Sequence, residues 1–307
     1  ARSTAAASIN AMRRDVLAQL TVVRSRPPEG ELHEPTKIPI IPGYTGETKL
    51  TVSVLRANQV TQALLDAKPA VLYVPLAELL ANRDLCTCMP EETELCAVLP
   101  RVIWDSEQPQ LMQQLSVLKS LGVSSVLVGN VGQIAIARGL NFRVRGDFGL
   151  NVFNSGAMHY LQQEGLASTL CSFEMTLPQI RDLSKAIPTE LMVYGRLPLM
   201  LMENCVIHNR SGSCSCTKGQ TNLVDRKGQA FPIIKDPGTC RNVILNGKML
   251  YLLDKRNDLQ KMGLWALRLQ FTTEHPDEVS KVIADYQSNA PFPSATCTRG
   301  LYQRGVE

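Results

Sequence analysis

The sequence of 307 residues lacks long apolar stretches and a strong net charge. No hydrophobic run approaches the roughly 18 residues that a membrane-spanning helix needs, and no basic segment leads into an apolar one as in a signal peptide. With 32 basic and 28 acidic residues the formal net charge is +4, which permits contact with nucleic acid without indicating it. These absences predict a cytoplasmic protein with no membrane partner.

Aromatic residues and common hydrolase motifs are also scarce. The chain has seven Phe, seven Tyr and two Trp, so no stacking platform for single-stranded RNA stands out. The G-x-S-x-G turn of serine hydrolases and the H-E-x-x-H pair of zinc proteases are both absent. What is present is 44% hydrophobic and 20% charged residues, the composition of a globular protein with a substantial core.

Short β-branched apolar runs alternate with helical patterns from residue 49 onward. The alternation gives eight strand–helix units and demands a parallel sheet. A barrel of this kind typically has ~250 residues, so we predict an α/β fold with a (β/α)8 TIM-like barrel over residues 49–290. A doubly wound open sheet is the alternative. The predicted strands are residues 50–55, 70–76, 96–103, 124–130, 142–152, 168–174, 190–200 and 264–271.

Four further segments complete the predicted organisation. Residues 1–22 are Ala-rich with helical periodicity and are predicted to be an N-terminal helix that continues from an upstream region. Residues 23–48 are rich in Pro, Gly and charge and are predicted to be a linker. Residues 205–262 form an insert after strand seven, much longer than ordinary βα connections, with Lys-Gly and Asn-Gly hairpin turns. Residues 291–307 are predicted to be a C-terminal tail.

Four of the nine cysteines, Cys205, Cys214, Cys216 and Cys240, fall in this insert. One residue separates Cys214 from Cys216, which is poor geometry for a disulfide between them. Four thiolates can hold zinc or an iron–sulfur cluster, although the spacing differs from the paired C-x2-C pattern of zinc sites. Inert buried thiols and a catalytic thiol remain alternatives. His208 is close to Cys205 in sequence, but a Cys–His pair must meet in space. We predict metal binding.

Polar residues near the C-terminal ends of the predicted strands are candidates for the active site, because barrel sites form there. Asp147 and Glu174 could transfer protons, and Arg196 could hold a carboxylate or phosphate through two hydrogen bonds. Asn151 and Asn154 are candidate substrate-binding residues. All of these except Arg196 have a structural alternative: pairing inside the barrel for Asp147, a helix start for Glu174, and turns or caps for the asparagines.

Basic residues are concentrated in the predicted hairpins of the insert. Arg226 and Lys227 lie in the stretch "DRKG", and Arg241 follows Cys240. These three residues could contact RNA phosphates, an interaction that would weaken with salt. A solvated hairpin face is the structural alternative.

Several stretches together resemble the U32 family, historically named collagenase-like peptidases. They are "VRGDFGLNVFNSGAMHYLQQEGLASTLCSFEMTLPQI", "VYGRLPLMLMENC", "LVDRKGQAFPI", "CRNVILNGKMLYLLD" and "TRGLYQRGVE". In addition, "SINAMRRDVLAQL" resembles the segment that precedes the second barrel of long U32 proteins. The resemblance therefore implies the C-terminal part of a longer protein, whose N-terminal part would be a partner within the same polypeptide.

The resemblance implies two enzymatic activities. The family name implies hydrolysis of protein or peptide substrates, whereas several members are linked to oxygen-independent hydroxylation of RNA bases or of the ubiquinone ring. The ubiquinone members bind a four-iron–four-sulfur (4Fe–4S) cluster through four cysteines, and Cys205 resembles the first of them. The remaining spacing differs from the family pattern, and Cys214 and Cys216 compete for one position.

Without a recognisable protease dyad, we expect iron–sulfur-dependent hydroxylation of RNA, with a 4Fe–4S cluster as cofactor and zinc as the alternative. The first alternative function is a peptidase acting on protein or peptide substrates. The second is a non-catalytic RNA-binding half of a larger enzyme.

Overall fold

The computed structural model describes residues 2–27, 30, 33–34, 37–214, 221–294 and 296–306. Its strands are β1 (Lys49–Ser53), β2 (Val71–Pro75), β3 (Glu94–Val98), β4 (Ser125–Val128), β5 (Arg143–Gly146), β6 (Ser168–Leu170), β7 (Thr189–Gly195), β8 (Pro198–Met202), β9 (Thr221–Val224), β10 (Ala230–Lys235), β11 (Asn242–Leu245), β12 (Met249–Tyr251), β13 (Ala266–Gln270) and β14 (Cys297–Thr298).

The helices are α1 (Arg2–Ser25), α2 (Gln62–Asp66), α3 (Leu76–Ala81), α4 (Gln108–Ser120), α5 (Gly132–Gly139), α6 (Ser155–Gln163), α7 (Leu177–Asp182), α8 (Val206–Ser211), α9 (Arg256–Leu259) and α10 (Pro276–Ser288). Short 3-10 turns cover Ala57–Gln59, Arg83–Cys86, Asp105–Glu107, Phe148–Leu150, Leu253–Lys255 and Gln260–Met262. In the described part of the chain, no helix combines the length and apolarity that a membrane crossing requires.

Eight strands form a closed parallel barrel. Strands β1 to β7 pair in chain order, and β13 pairs in parallel with both β1 and β7 to close the ring. This arrangement confirms the predicted (β/α)8 TIM-like barrel, and the open doubly wound sheet is wrong. One helix, α2 to α7 in turn, connects each pair of successive strands from β1 to β7, as parallel neighbours require.

Both faces of the barrel strands are buried, which explains their nearly continuous apolar sequences. Every residue of β2, β4 and β7 is buried. The main hydrophobic cluster joins one strand face to the surrounding helices. A smaller cluster of Val71, Tyr73, Cys96 and Leu127 belongs to the opposite face of β2, β3 and β4, inside the barrel.

The predicted seventh strand is divided in two. Gly195 ends β7 with a φ of +133°, a conformation that favours glycine. A Cβ at this position would also collide with the carbonyl oxygen of Gln270. After this break the chain enters β8, which leaves the barrel and joins a second sheet. Apolar residues are frequent in both strands, so the sequence pattern alone does not show the break.

The second sheet confirms the cysteine-containing hairpin insert after strand seven. It has four antiparallel strands in the order β8–β11–β10–β9. The chain then returns through β12, which pairs antiparallel with the end of β7 and in parallel with β14. The insert sheet therefore begins at Pro198, before the predicted start of the insert at residue 205.

The N-terminal helix belongs to a compact unit of its own. Residues 1–37 form one unit by their contacts and residues 38–307 form the other. Within the first unit, α1 exposes Ile9, Met12 and Val16, among other apolar side chains.

Candidate functional site

A cavity of about 140 Å³ lies at the carboxyl ends of the barrel strands. We call it the mouth cavity. The insert sheet supplies one set of lining residues, Pro198, Leu201, Ile234, Val243 and Leu245, and the barrel strand ends and loops supply another, including Ser53, Pro100, Arg101, Gly129, Asp147, Phe148, Gln270, Phe271 and Thr272. The insert therefore covers the end of the barrel where the sites of TIM-barrel enzymes form.

Asp147 is the sequence-predicted catalytic residue that lines the mouth cavity. It directly follows β5, so the end of that strand sets its position. Its Oδ1 accepts a hydrogen bond of 2.7 Å from Arg268, and its side chain is 15% exposed. Burial raises the pKa of the Asp147 carboxyl above its ordinary value, although the charge of Arg268 acts in the opposite direction. The carboxyl is thus better suited to exchanging protons than a solvated aspartate.

A buried carboxylate inside the barrel fixes the orientation of Arg268. The Glu190 side chain is fully buried and accepts hydrogen bonds from Arg268 Nε (3.0 Å), Tyr73 (2.6 Å), Thr51 (2.9 Å) and Ser168 (2.9 Å). Burial alone would raise the pKa of Glu190, but the charge of Arg268 and these donors hold it below its ordinary value. The arginine is therefore fixed between Glu190 below and Asp147 at the mouth.

A second buried arginine completes this polar layer. Arg145 donates to both oxygens of Glu94, at 2.9 and 2.7 Å, and to the Ser168 hydroxyl at 2.8 Å. Its guanidinium also lies 5.0 Å from the centre of the Trp265 ring. Ser168 accepts from Arg145 and donates to Glu190, which also accepts from Arg268, so the barrel interior is one hydrogen-bonded unit beneath the mouth cavity.

Asp236 brings a second carboxyl to the mouth cavity from the insert. It follows β10 and begins the turn toward β11, where its Oδ2 accepts a hydrogen bond of 3.1 Å from the Thr239 hydroxyl. Burial raises the pKa of Asp236 above its ordinary value, while Thr239, Arg241 and Arg101 act to lower it. The sequence pattern did not predict this residue. The signal that could have identified it is an acid directly before a Pro-Gly turn and four residues before Cys240.

Arg101 and Gln270 also bring polar side chains to the mouth cavity, and the sequence pattern predicted neither. Arg101 lies in the loop after β3, and Gln270 is the last residue of β13. Both stand at the C-terminal ends of barrel strands, the same rule that identified Asp147. The apolar walls include Phe148, whose half-buried ring can contact a planar ligand, and Phe271, which is buried.

Glu174, Asn151 and Asn154 lie outside the lining of the mouth cavity. Glu174 is exposed, and its backbone N–H donates to the Ser172 hydroxyl at 3.4 Å. Asn151 adopts a left-handed conformation with a φ of +47°, as asparagine tolerates in turns. Asn154 caps α6 by accepting the Ala157 N–H at 2.9 Å. Their predicted roles in catalysis or binding have no supporting contact in this geometry.

Arg196 also lies outside the lining of the mouth cavity. Its guanidinium donates to the carbonyl oxygens of Asn246 and Gly247, at 2.9 and 2.7 Å. These bonds tie the end of β7 to the turn between β11 and β12. The arrangement gives the arginine a structural role in holding the insert.

The three basic residues predicted to contact RNA have different surroundings. Arg226 and Lys227 are exposed in the turn between β9 and β10. Arg241 is only 2% exposed and forms ion pairs of 2.6 Å with Glu203 and 3.0 Å with Glu107. The donors of Arg241 are thus engaged within the protein, whereas Arg226 and Lys227 are open to solvent.

Two of the predicted metal ligands lie at the same end of the insert sheet. Met202 of β8 pairs with Asn242 of β11, and the antiparallel register beyond this pair brings the segment after β8 alongside Cys240. Cys205 starts α8 in that segment, and its Sγ accepts the backbone N–H of His208 at 3.4 Å. Cys205 and Cys240 therefore lie in the two segments that flank this pair of strand ends.

The remaining ligands are less completely described. Cys214 and Cys240 are exposed, and Cys216 lies outside the described residues. Within the described part of the chain, no group of three or more His, Cys, Asp or Glu residues is arranged to hold a metal ion. The described cysteines thus form an incomplete set for a four-thiolate cluster.

Comparisons with known proteins give a family match. Residues 84–290 match the family described as peptidase family U32, and a comparison with curated proteins gives no match. The solved structure of the U32 peptidase Mk0906 has a TM-score of 0.44 and 10% identity, covering 80% of this chain and 99% of that chain.

Two further solved structures carry names other than U32 peptidase. The spore cortex-lytic enzyme SleL of Bacillus megaterium QM B1551 has a TM-score of 0.38 and 12% identity, covering 78% of this chain and 75% of its own. A family GH18 chitinase from Cycas revoluta in complex with allosamidin has a TM-score of 0.39 and 10% identity, covering 78% of this chain and 99% of the chitinase chain. At these values the structures lend no residue role to this chain.

Proposed function

Because the chain belongs to peptidase family U32 through residues 84–290, we propose that it is an enzyme that hydroxylates a base of RNA in the mouth cavity. The observation that carries this proposal is the size and lining of the cavity. Its volume of about 140 Å³ is close to that of an engineered apolar cavity of about 150 Å³ that holds benzene. A single flat ring therefore fits.

The lining of the mouth cavity also suits a heterocyclic ring. Phe148 offers an aromatic surface, while Asp147, Asp236 and Gln270 offer hydrogen-bonding groups. Enzymes that modify bases commonly take one base out of its stack and read its edge in such a pocket. When water supplies the oxygen, conversion of a ring C–H to C–OH releases two protons and passes two electrons to an external electron acceptor. We assign the acceptance of one of these protons to Asp147, which Arg268 holds at 2.7 Å.

Cys205, Cys214, Cys216 and Cys240 are the proposed ligands of a 4Fe–4S cluster. Such a cluster would supply one-electron redox chemistry. The adjacency of Cys205 and Cys240 at one end of the insert sheet supports the proposal.

The cysteine proposal predicts iron in protein that is purified without oxygen. We expect about four irons per chain and a broad visible absorption band. Cys205→Ser and Cys240→Ser should each lose most of the iron and the band. Cys88→Ser is the matched control, because Cys88 is also exposed but lies between β2 and β3. Iron-free wild-type protein, or full iron retention after all four ligands are replaced by Ser, would contradict the proposal.

Peptide hydrolysis is the second candidate, and one observation favours it. Asp147 and Asp236 line the same cavity, and burial raises the pKa of both. Two carboxyls in different environments can serve as general acid and general base. The test is cleavage of gelatin and short peptides by iron-free protein. Cleavage that is lost in both Asp147→Asn and Asp236→Asn would establish the peptidase and displace hydroxylation.

A further inference from the structure

Arg101 is a half-buried guanidinium at the edge of the mouth cavity with no ion-pair partner in the described part of the chain. Its side chain lines the cavity, and among the described residues neither a salt bridge nor a side-chain hydrogen bond engages it. The other arginines of this barrel end are engaged. Arg268 pairs with Asp147, and Arg241 pairs with Glu107 and Glu203.

The position of Arg101 is fixed by close packing of its aliphatic stem. Gly129, after β4, leaves the space that the stem occupies, because a Cβ there would lie 3.3 Å from Arg101 Cγ. Gly149, in the loop after β5, also leaves space for this stem, because a Cβ there would lie 3.1 Å from Arg101 Cδ. The guanidinium then rests 5.2 Å from the centre of the Phe148 ring. Two neighbouring loops thus hold the charged group while leaving its donors free.

Neither of the carboxyls near Arg101 neutralises its charge through an ion pair in the described part of the chain, so an external anion can do so. The nearby carboxyls are Asp236, which is not within ion-pair distance of Arg101 among the described contacts, and Asp147, which is already paired with Arg268. A fixed planar guanidinium can bind two oxygens of a phosphate at once. A ligand that fills the mouth cavity with a ring would place its attached group at this edge.

We propose that Arg101 binds the phosphate group of a nucleotide whose base occupies the mouth cavity. The site is a phosphate-binding subsite, and its ligand class is a pyrimidine-sized ring that carries a phosphate. The identity of the ring rests on the proposed function, whereas the anion contact rests on the geometry of Arg101 alone.

The experiment compares the binding of nucleotides with that of the matching nucleosides. Cytidine and uridine 5′-monophosphates, their nucleosides and inorganic phosphate are titrated by calorimetry into wild type, Arg101→Met and Arg101→Lys. Met keeps an unbranched stem against Gly129 and Gly149, and Lys keeps the charge without the planar fork. Arg138→Met is the matched control, because Arg138 lies on α5 and pairs with Glu164. Thermal melting verifies that each variant is folded.

We expect Arg101→Met to weaken nucleotide binding by about 10- to 100-fold and to leave nucleoside binding nearly unchanged. Arg101→Lys should fall between wild type and Arg101→Met, and Arg138→Met should match wild type. Equal nucleotide affinity in Arg101→Met, or an equal loss of nucleoside binding, would overturn the inference.

Two outcomes separate this inference from the proposed function. Binding of inorganic phosphate that depends on Arg101, without any binding of nucleosides or nucleotides, would keep the anion contact and reject the base in the cavity. Binding of none of the probes by folded wild-type protein would overturn the subsite itself.

Discussion

Replacing Asp147 with Asn is expected to lower the catalytic rate by about 10²- to 10⁴-fold, the usual contribution of a positioned acid or base. Asn has nearly the same shape, and its carbonyl oxygen can still accept the 2.7 Å hydrogen bond from Arg268. It cannot exchange a proton. The measurement is product formation with the substrate that proves active, whether modified RNA or cleaved peptide, at saturating concentration.

The control for this variant is Glu174→Gln. Glu174 is also an acid after a barrel strand, but it is exposed and outside the mouth cavity. Its amide variant should keep nearly the full rate. If Glu174→Gln loses activity and Asp147→Asn retains it, the reaction takes place elsewhere at the barrel end and our assignment of the site is wrong.

The pH dependence of the rate shows which role Asp147 has. Burial raises its pKa above the ordinary aspartate value of 3.8. If Asp147 acts as a base, the rate falls as the pH drops through this raised pKa. If it acts as an acid, the rate falls as the pH rises through it. In either case the corresponding limb of the profile should disappear in Asp147→Asn.

Replacing Glu190 with Gln is expected to lower the free energy of unfolding by about 3–5 kcal/mol, the cost of removing one partner from a buried ion pair. Glu190 is fully buried and accepts from Arg268 at 3.0 Å. Gln preserves the shape but leaves the charge of Arg268 balanced by Asp147 alone. The NH2 group of the Gln side chain would also face hydrogen-bond donors, where a Glu190 oxygen accepts in the wild type. Urea denaturation of the wild type and the variant measures the difference.

The matched control is Glu92→Gln, which removes a carboxylate from a solvent-exposed pair. Glu92 and Lys68 are 2.8 Å apart, and each side chain is 59% exposed. Exposed pairs contribute little, so this variant should unfold almost as the wild type does. If Glu190→Gln lowered the free energy of unfolding no more than Glu92→Gln does, the buried ion pair of Glu190 and Arg268 would not be what stabilises the barrel.

The effects of acid on Glu190 and Asp147 have opposite signs. The pKa of Glu190 is lower in the folded protein than its ordinary value of 4.5. Its contribution to stability is therefore present above about pH 4.5 and is lost as the pH falls through the lowered pKa. The raised pKa of Asp147 gives a contribution that is present below pH 3.8 and is lost as the pH rises through the folded value.

The barrel could be predicted from the sequence because its strands are local patterns. Runs such as Val71–Pro75 are apolar throughout, since both faces are buried, and a helical pattern follows nearly every run. The division after Gly195 could not be predicted in this way. Its cause is a long-range pairing of β8 with β11, together with the approach of Gln270 to Gly195.

The site could be predicted only in part. Asp147 was found because it directly follows a strand, and strand ends meet at the barrel mouth. Asp236 and Arg101 reach the same cavity from an insert turn and a loop, and their convergence depends on how the insert sheet folds over the barrel. Arg241 was predicted to contact RNA because it is a basic residue in a polar stretch. It is instead buried and paired with Glu203 and Glu107, and Glu107 is distant in sequence, so the pattern could not show this pairing.

The location of a bound nucleotide is the most direct test of the claim that the mouth cavity is the reaction site. A structure of the protein with cytidine or uridine 5′-monophosphate would measure it. We predict the base between the barrel end and the insert sheet, within hydrogen-bonding distance of Asp147, and the phosphate on Arg101. A base bound outside the residues that line the cavity, with the cavity itself unfilled at saturating nucleotide, would contradict the account.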